Sequence, residues 1–313
     1  MSSSIAPADS RCRILSLDGG GAKGFYTLGV LREIEAMLGS PLHENFELVF
    51  GTSTGGIIAA LVALGYGVDE IHDLYKEHVP AVMECRTRAA RTGALGKLVK
   101  SVFGTKTFAD VKTRIGVVAA NWMSERPMIF KRDEKQAHGR KGTFVPGFGV
   151  SIADAVQASC SAYPFFERKF VTTAAGDRIE LVDGGYCANN PTLYAIAEAV
   201  GPLGKQQAEL RVVSVGVGVY PQPKNLMRWM IKKIPFNSIE LLQKTLEINT
   251  QSMDQLRILL FKGVRTIRIS DTFERPEMAT DLLESDLTKL NMLRQQGRGS
   301  FASRETELRQ LLV

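Results

Sequence analysis

Three short stretches of this 313-residue chain carry residue types that could do chemistry together. The first, Gly51-Thr52-Ser53-Thr54-Gly55, lies between an apolar run, Phe46 to Phe50, and an apolar helical stretch, Gly56 to Leu64. A strand turning sharply into a helix there would lift the serine hydroxyl clear of a sheet, at the positive end of a helix dipole. Gly51 and Gly55 suit such a turn because larger side chains would collide with the neighbouring strand or helix. Gly-x-Ser-x-Gly in this setting reads as the nucleophile elbow of serine acyl hydrolases. The bland alternative is an ordinary strand-to-helix turn.

The second stretch follows Ile14-Leu15-Ser16-Leu17, a short buried strand. It runs Asp18-Gly19-Gly20-Gly21-Ala22-Lys23-Gly24 into a helical pattern from Phe25 to Met37. Consecutive glycines let backbone N–H groups approach a ligand closely, and the helix start beyond them favours negative charge. Such donors could hold a phosphate or the oxyanion of an acyl-transfer intermediate. Gly19-x-Gly21-x-x-Gly24 matches the dinucleotide fingerprint letter by letter. However, the next strand ends at Phe50-Gly51, where that fingerprint wants an acidic residue, and the Walker order of Gly-Lys before Ser/Thr is absent.

The histidines narrow the choice of base. Only His43, His72, His78 and His138 occur, and none follows His138, so a triad in the order serine, acid, histidine cannot be assembled with its base far downstream. A carboxylate at a strand end is then the candidate base. Ile179-Glu180-Leu181-Val182 reads as a strand leading into Asp183-Gly184-Gly185-Tyr186. Open α/β sheets place their ligands at the carboxyl ends of strands, where Asp183 would stand. Asp-Gly is also a frequent turn, which is the purely structural reading of the same residues.

The elements that must position these residues alternate strand, glycine loop, helix, then strand, serine turn, helix, as in an α/β layer fold with a largely parallel sheet flanked by helices. Residues 75–110 read as helices and loops forming a cap beside the site. Ile115 to Asn121 and Pro127 to Arg132 read as strands, and 133–149 as a mobile surface loop rich in Gly, Lys and Arg. Ile152 to Ser159 reads as a short helix. Ala162-Tyr163-Pro164-Phe165-Phe166 supplies bulky apolar groups for a lipid tail or for the core. Arg211 to Gly218 and Val264 to Ile269 read as strands, and Ile239 to Phe261, Leu282 to Gln296 and Ser303 to Leu312 as helices. The expected organisation is a disordered 1–10 followed by one domain over 11–313, with helices dominating from about 224 onward.

Composition is that of a soluble globular protein, 44% hydrophobic and 23% charged. Cys12, Cys85, Cys160 and Cys187 are widely spaced, which fits free thiols in a reducing compartment. The start lacks the basic and apolar regions of a signal peptide, and the longest mostly apolar stretch, Ile57 to Val68, is too short to span a bilayer. The expected location is cytoplasmic. No metal cluster is visible, and no cofactor is expected. The net charge of +6 suits an anionic partner, a phospholipid surface or a nucleotide, rather than a nucleic acid polymer. Much of the excess lies between Arg86 and Arg114. Asn225 to Pro235 adds Trp, Met and Ile among Arg and Lys, the composition of an interfacial helix or of a short core helix with solvated lysines. Oligomeric state is not legible.

Taken together, Asp18 to Gly24, Gly51 to Gly55 and Asp183 to Gly185 resemble the patatin-like phospholipases, over roughly Arg13 to Gly218. The resemblance implies a three-layer α/β fold and a serine acyl hydrolase that cleaves phospholipid esters through a Ser–Asp dyad. It implies Ser53 as nucleophile, Asp183 as general base, and the N–H groups of Gly20, Gly21 and Ala22 as the oxyanion hole. Gly19, Lys23, Gly24, Gly51, Gly55, Gly184 and Gly185 support these motifs. Asn189-Asn190-Pro191 also looks familial. The chain is similar, further, to bacterial effectors of anti-phage signalling that a cyclic dinucleotide activates and that degrade the inner membrane. That likeness implies such a nucleotide as activator, without naming its site. An unregulated lipid hydrolase and a nucleotide-binding protein are the alternatives.

Overall fold

The computed structural model describes residues 11–139, 141–221 and 236–313. The expectations for 1–10, Arg140 and 225–235 lie outside the described residues. Along the chain come β1 (Cys12–Leu17), α1 (Gly24–Leu38), α2 (Leu42–Asn45), β2 (Leu48–Thr52), α3 (Thr54–Leu64), α4 (Val68–Met83) and α5 (Arg88–Phe103). Then follow β3 (Arg114–Asn121), β4 (Arg126–Lys131), α6 (Ile152–Ser159), β5 (Lys169–Thr172), β6 (Arg178–Asp183), α7 (Gly185–Ala188) and α8 (Thr192–Val200). The last are β7 (Leu210–Val215), α9 (Phe236–Leu260), β8 (Arg265–Ile269), α10 (Leu287–Ala302) and α11 (Glu305–Leu312).

The strands form one mixed sheet in the order β5-β6-β3-β2-β1-β7-β8, with β4 paired to β3. Parallel ladders join β3-β2-β1-β7-β8, and β4, β5 and β6 pair antiparallel. Helices cover both faces, so central strands read as continuous apolar runs. All five residues of β2 are buried. Along β1, Leu15 and Leu17 enter the core under α1 and α3, while Cys12 and Ile14 enter a second core under α8. That alternation is the strand period of two, and it gives three layers. Every residue of α3 is buried, as its all-round apolar sequence requires.

The structure differs from the sequence reading in places. β5 was not anticipated: it has four residues at the sheet edge, with Phe170 facing outward. The helix expected from Leu282 begins at Leu287, because the Asp286 carboxylate caps it by accepting the N–H groups of Thr288 and Lys289. The stretch 133–149 contains short 3₁₀ turns. Gln136 there is buried and donates to the Ile115 carbonyl and the Glu198 carboxylate. β7 ends at Val215, three residues before Gly218.

Candidate active site

Strand β3 explains how Ser53 and Asp183 come to be neighbours. β4 takes Gly116 to Asn121 along one edge of β3. β2 pairs with residues up to Val118, where its partner is Thr52. β6 pairs with Ala119 to Asn121, and Asp183 lies opposite Ala119. A strand has two edges, so β2 and β6 must share the second one, running in opposite directions with their carboxyl ends head to head. The next residue after Thr52 is Ser53. The junction is tight: a methyl group on Gly184 would lie 2.2 Å from the Val118 carbonyl oxygen and 3.1 Å from Thr52 Cγ2.

Ser53 precedes α3 with φ 53° and ψ −124°, a left-handed conformation that a non-glycine residue adopts only under strain. Its N–H donates to Ser159 Oγ at 2.9 Å, and Ser159 Oγ donates to the Val118 carbonyl at 2.5 Å. Ser159, at the end of α6, therefore pins the elbow to β3. Gly51 and Gly55 close the turn, with the Gly55 oxygen 2.1 Å from where a Gly51 methyl would be.

Asp183 is buried. One carboxylate oxygen accepts the Gly185 N–H at 2.7 Å, the arrangement that the following glycines permit. Burial raises its pKa from 3.8 to about 7, against the lowering effects of the Gly185 N–H and of the Ser53 side chain. A carboxylate with that proton affinity can accept a proton near neutral pH. Cys160 has its thiol pKa raised by burial and by Asp183.

The glycine loop follows β1 and abuts the elbow: a methyl on Gly19 would lie 3.2 Å from Ser53 Cβ. Gly19 N–H donates to the Asn189 carbonyl at 2.9 Å, and Asn189 Nδ2 returns a bond to the Gly19 carbonyl at 3.3 Å. Gly20 and Gly21 line the same cavity as Ser53 and Asp183. Among the described residues their N–H groups find no acceptor outside their own turn. Ala22 differs. Its N–H donates to the Leu282 carbonyl at 3.0 Å, so in this structure it is not a free third donor. Lys23 is buried, which lowers its pKa, and Gly24 opens α1 against Thr54.

Residues 15–196 match the family model for patatin-like phospholipases. The chain belongs to that family. The cUMP-AMP-activated phospholipase of Escherichia coli is 69% identical over 306 residues, covering 97% of this chain and 95% of that protein. The cGAMP-activated phospholipase of Pseudomonas aeruginosa is 30% identical over 215 residues, 65% of this chain and 61% of that protein. Among solved structures, VipD from Legionella pneumophila overlays 97% of this chain and 68% of its own with a TM-score of 0.54 at 14% identity, a likeness of fold.

Beyond the part that matches the patatin-like model, the C-terminal region completes the site. Leu246 on α9 and Leu282 and Leu283 line the cavity, opposite Val79, Val82 and Met83 of α4, Leu95 and Leu98 of α5, and Phe165 and Phe166. Asn249 on α9 accepts the Asn189 N–H at 2.9 Å, and Thr250 accepts from Asn189 Nδ2 at 2.7 Å, so α9 braces the glycine loop through Asn189. Asp18 is held by a bidentate pair with Arg268 of β8, whose Nη1 also donates to Ser214. Sequence reasoning missed Ser159, Arg268, Asn249 and Thr250. Each is distant in the chain and carries no local signal. Asn189 was visible only as part of a familiar tripeptide. Among the described residues, no helix is long and apolar enough to cross a membrane.

Proposed function

We propose that this patatin-like phospholipase hydrolyses phospholipid acyl esters with Ser53 as nucleophile and Asp183 as general base, and that cUMP-AMP switches it on. The observation that carries the chemistry is the head-to-head meeting of β2 and β6 on β3, with a buried Asp183 whose pKa is raised to about 7. Ser53 Oγ attacks the ester carbonyl while its proton passes to Asp183. The tetrahedral oxyanion takes hydrogen bonds from the N–H groups of Gly20 and Gly21, each such donor supplying roughly 3 kcal/mol. Collapse expels the lysolipid alcohol, which takes the proton from Asp183 and leaves an acyl ester on Ser53. A water molecule deprotonated by Asp183 then releases the fatty acid and restores the serine. The apolar walls from α4, α5 and the C-terminal region hold the acyl chain.

The regulated part of the reading rests on the near full-length likeness to the cUMP-AMP-activated phospholipase of Escherichia coli. The enzyme then works from the cytoplasm on the inner membrane, consuming lipid when infection raises the nucleotide, a role in anti-phage defence. Fatty-acid release from phosphatidylethanolamine/phosphatidylglycerol vesicles, measured with no nucleotide, with cUMP-AMP and with cGAMP, tests it. The expected result is release that depends on cUMP-AMP. Equal release in all three overturns the regulation, and no release in any overturns the activity.

A further inference from the structure

A cluster of aromatic and arginine side chains lies just outside the lip of the active-site cavity. The segment after α6 forms the lip: Phe165 and Phe166 turn into the cavity, Pro164 is exposed and Tyr163 is half-buried. The Arg168 guanidinium lies 5.6 Å from the Tyr163 ring and 4.9 Å from the Trp122 ring. Arg88, at the start of α5, lies 5.3 Å from the same tyrosine. Arg178, at the start of β6, lies 4.5 Å from Phe170 on the edge strand β5. Phe170 pairs with Glu180, the residue whose carbonyl accepts the Trp122 N–H and whose carboxylate pairs with Arg168. These contacts make one continuous surface.

That surface is strongly apolar for its position. Trp122 is 40% exposed, Met123 at the tip of the β3–β4 hairpin 77%, and Phe170 48%. Arginine stacked beside an exposed tryptophan and a half-buried tyrosine suits the interface of a bilayer, where rings settle at head-group level and guanidinium groups meet phosphates. Among the described residues neither Arg88 nor Arg178 has a carboxylate partner, so both charges are available to an anionic head group. No carboxylate occurs from Arg86 to Ala109, along all of α5.

We propose that the Trp122 hairpin, Tyr163, Phe170 and the three stacked arginines form the face that docks on an anionic phospholipid bilayer, presenting the cavity mouth to the lipid. The proposal rests on the phospholipase reading above, because it supplies that reaction with its substrate.

Trp122 reports on the contact directly. The chain holds two tryptophans, so Trp229→Phe leaves Trp122 as the sole indole. In a Ser53→Ala, Trp229→Phe chain, which leaves lipid intact, Trp122 emission should shift to the blue with phosphatidylglycerol-containing vesicles, and brominated acyl chains should quench it. Arg88→Gln should weaken vesicle binding about fivefold, the factor matching ~1 kcal/mol per arginine at an anionic surface. In a Ser53 background with cUMP-AMP present, Arg88→Gln with Met123→Ser and Phe170→Thr should lose vesicle hydrolysis and keep hydrolysis of a soluble short-chain nitrophenyl ester. Vesicle sedimentation without any change in Trp122 emission overturns the proposal, as does vesicle hydrolysis undiminished in the triple variant. A Trp229→Phe protein that, with cUMP-AMP present, splits neither substrate yet binds vesicles through Trp122 overturns the phospholipase reading instead.

Discussion

Replacing Asp183 with asparagine should make the protein more stable as it becomes inactive, and the size of the gain should depend on pH. In the folded chain burial holds the Asp183 proton until about pH 7, whereas the ordinary value is 3.8. Below 3.8 both folded and unfolded chains are protonated at this site, and its contribution to stability is fully present. Between 3.8 and 7 the unfolded chain has lost the proton and the folded one has not. Stability therefore falls as pH rises, until ionisation of the folded form near 7 ends the decline. At ~1.4 kcal/mol per pH unit, the gap corresponds to a loss of roughly 4 kcal/mol at pH 8. Asparagine has nearly the same shape, can still accept the Gly185 N–H, and does not ionise. Urea unfolding of both proteins at pH 4, 6 and 8 should give similar free energies at pH 4 and an advantage for Asp183→Asn of up to about 4 kcal/mol at pH 8. In the wild type kcat/KM should fall about tenfold per pH unit below about 7 as the base becomes protonated. A stability difference that does not change with pH, together with an activity profile breaking near pH 4, would mean that Asp183 keeps an ordinary carboxylate proton affinity and is not the base.

Other substitutions probe the scaffold of the site. Ser53→Gly removes the hydroxyl and relieves the φ of 53°, so it should abolish hydrolysis while raising unfolding free energy by about 1 kcal/mol, as urea titration will show. Arg268→Met strips the buried Asp18 carboxylate of its bidentate partner and should cost about 3–5 kcal/mol. Adding Asp18→Asn should restore most of that loss. Gly184→Ala places a methyl 2.2 Å from the Val118 carbonyl and should separate the two strand ends, with about 3 kcal/mol of stability and nearly all activity lost in parallel assays.

Much of the site was legible because its chemistry is written in local turns. The serine elbow announces itself through Gly51 and Gly55 on either side of a strand-to-helix change, and the missing downstream histidine points to a carboxylate. The strand arrangement that brings Ser53 to Asp183 was not legible. It depends on β6 running antiparallel along the edge of β3 that β2 vacates after Val118, and strand direction in a sheet has no signature in the residues of one strand. The sheet is largely parallel, as the alternation of strands and helices suggested, and only β4, β5 and β6 pair antiparallel. Ala22 shows the same limit. Three glycines and an alanine look like equivalent donors, and only tertiary contacts take two of them away, Gly19 by the Asn189 carbonyl and Ala22 by that of Leu282. The bracing of the loop by α9 and β8 comes from residues that look like ordinary helix and strand positions.

The most direct test of the dyad is covalent. A fluorophosphonate probe phosphonylates only an activated serine, and peptide mass spectrometry locates the adduct. With cUMP-AMP present, one adduct should form, on Ser53, quickly in the wild type and at least a hundredfold more slowly in Asp183→Asn, in keeping with the ~10²–10⁴ that a positioned general base contributes. An adduct on another serine, or equal labelling of Ser53 in the two proteins, contradicts the dyad.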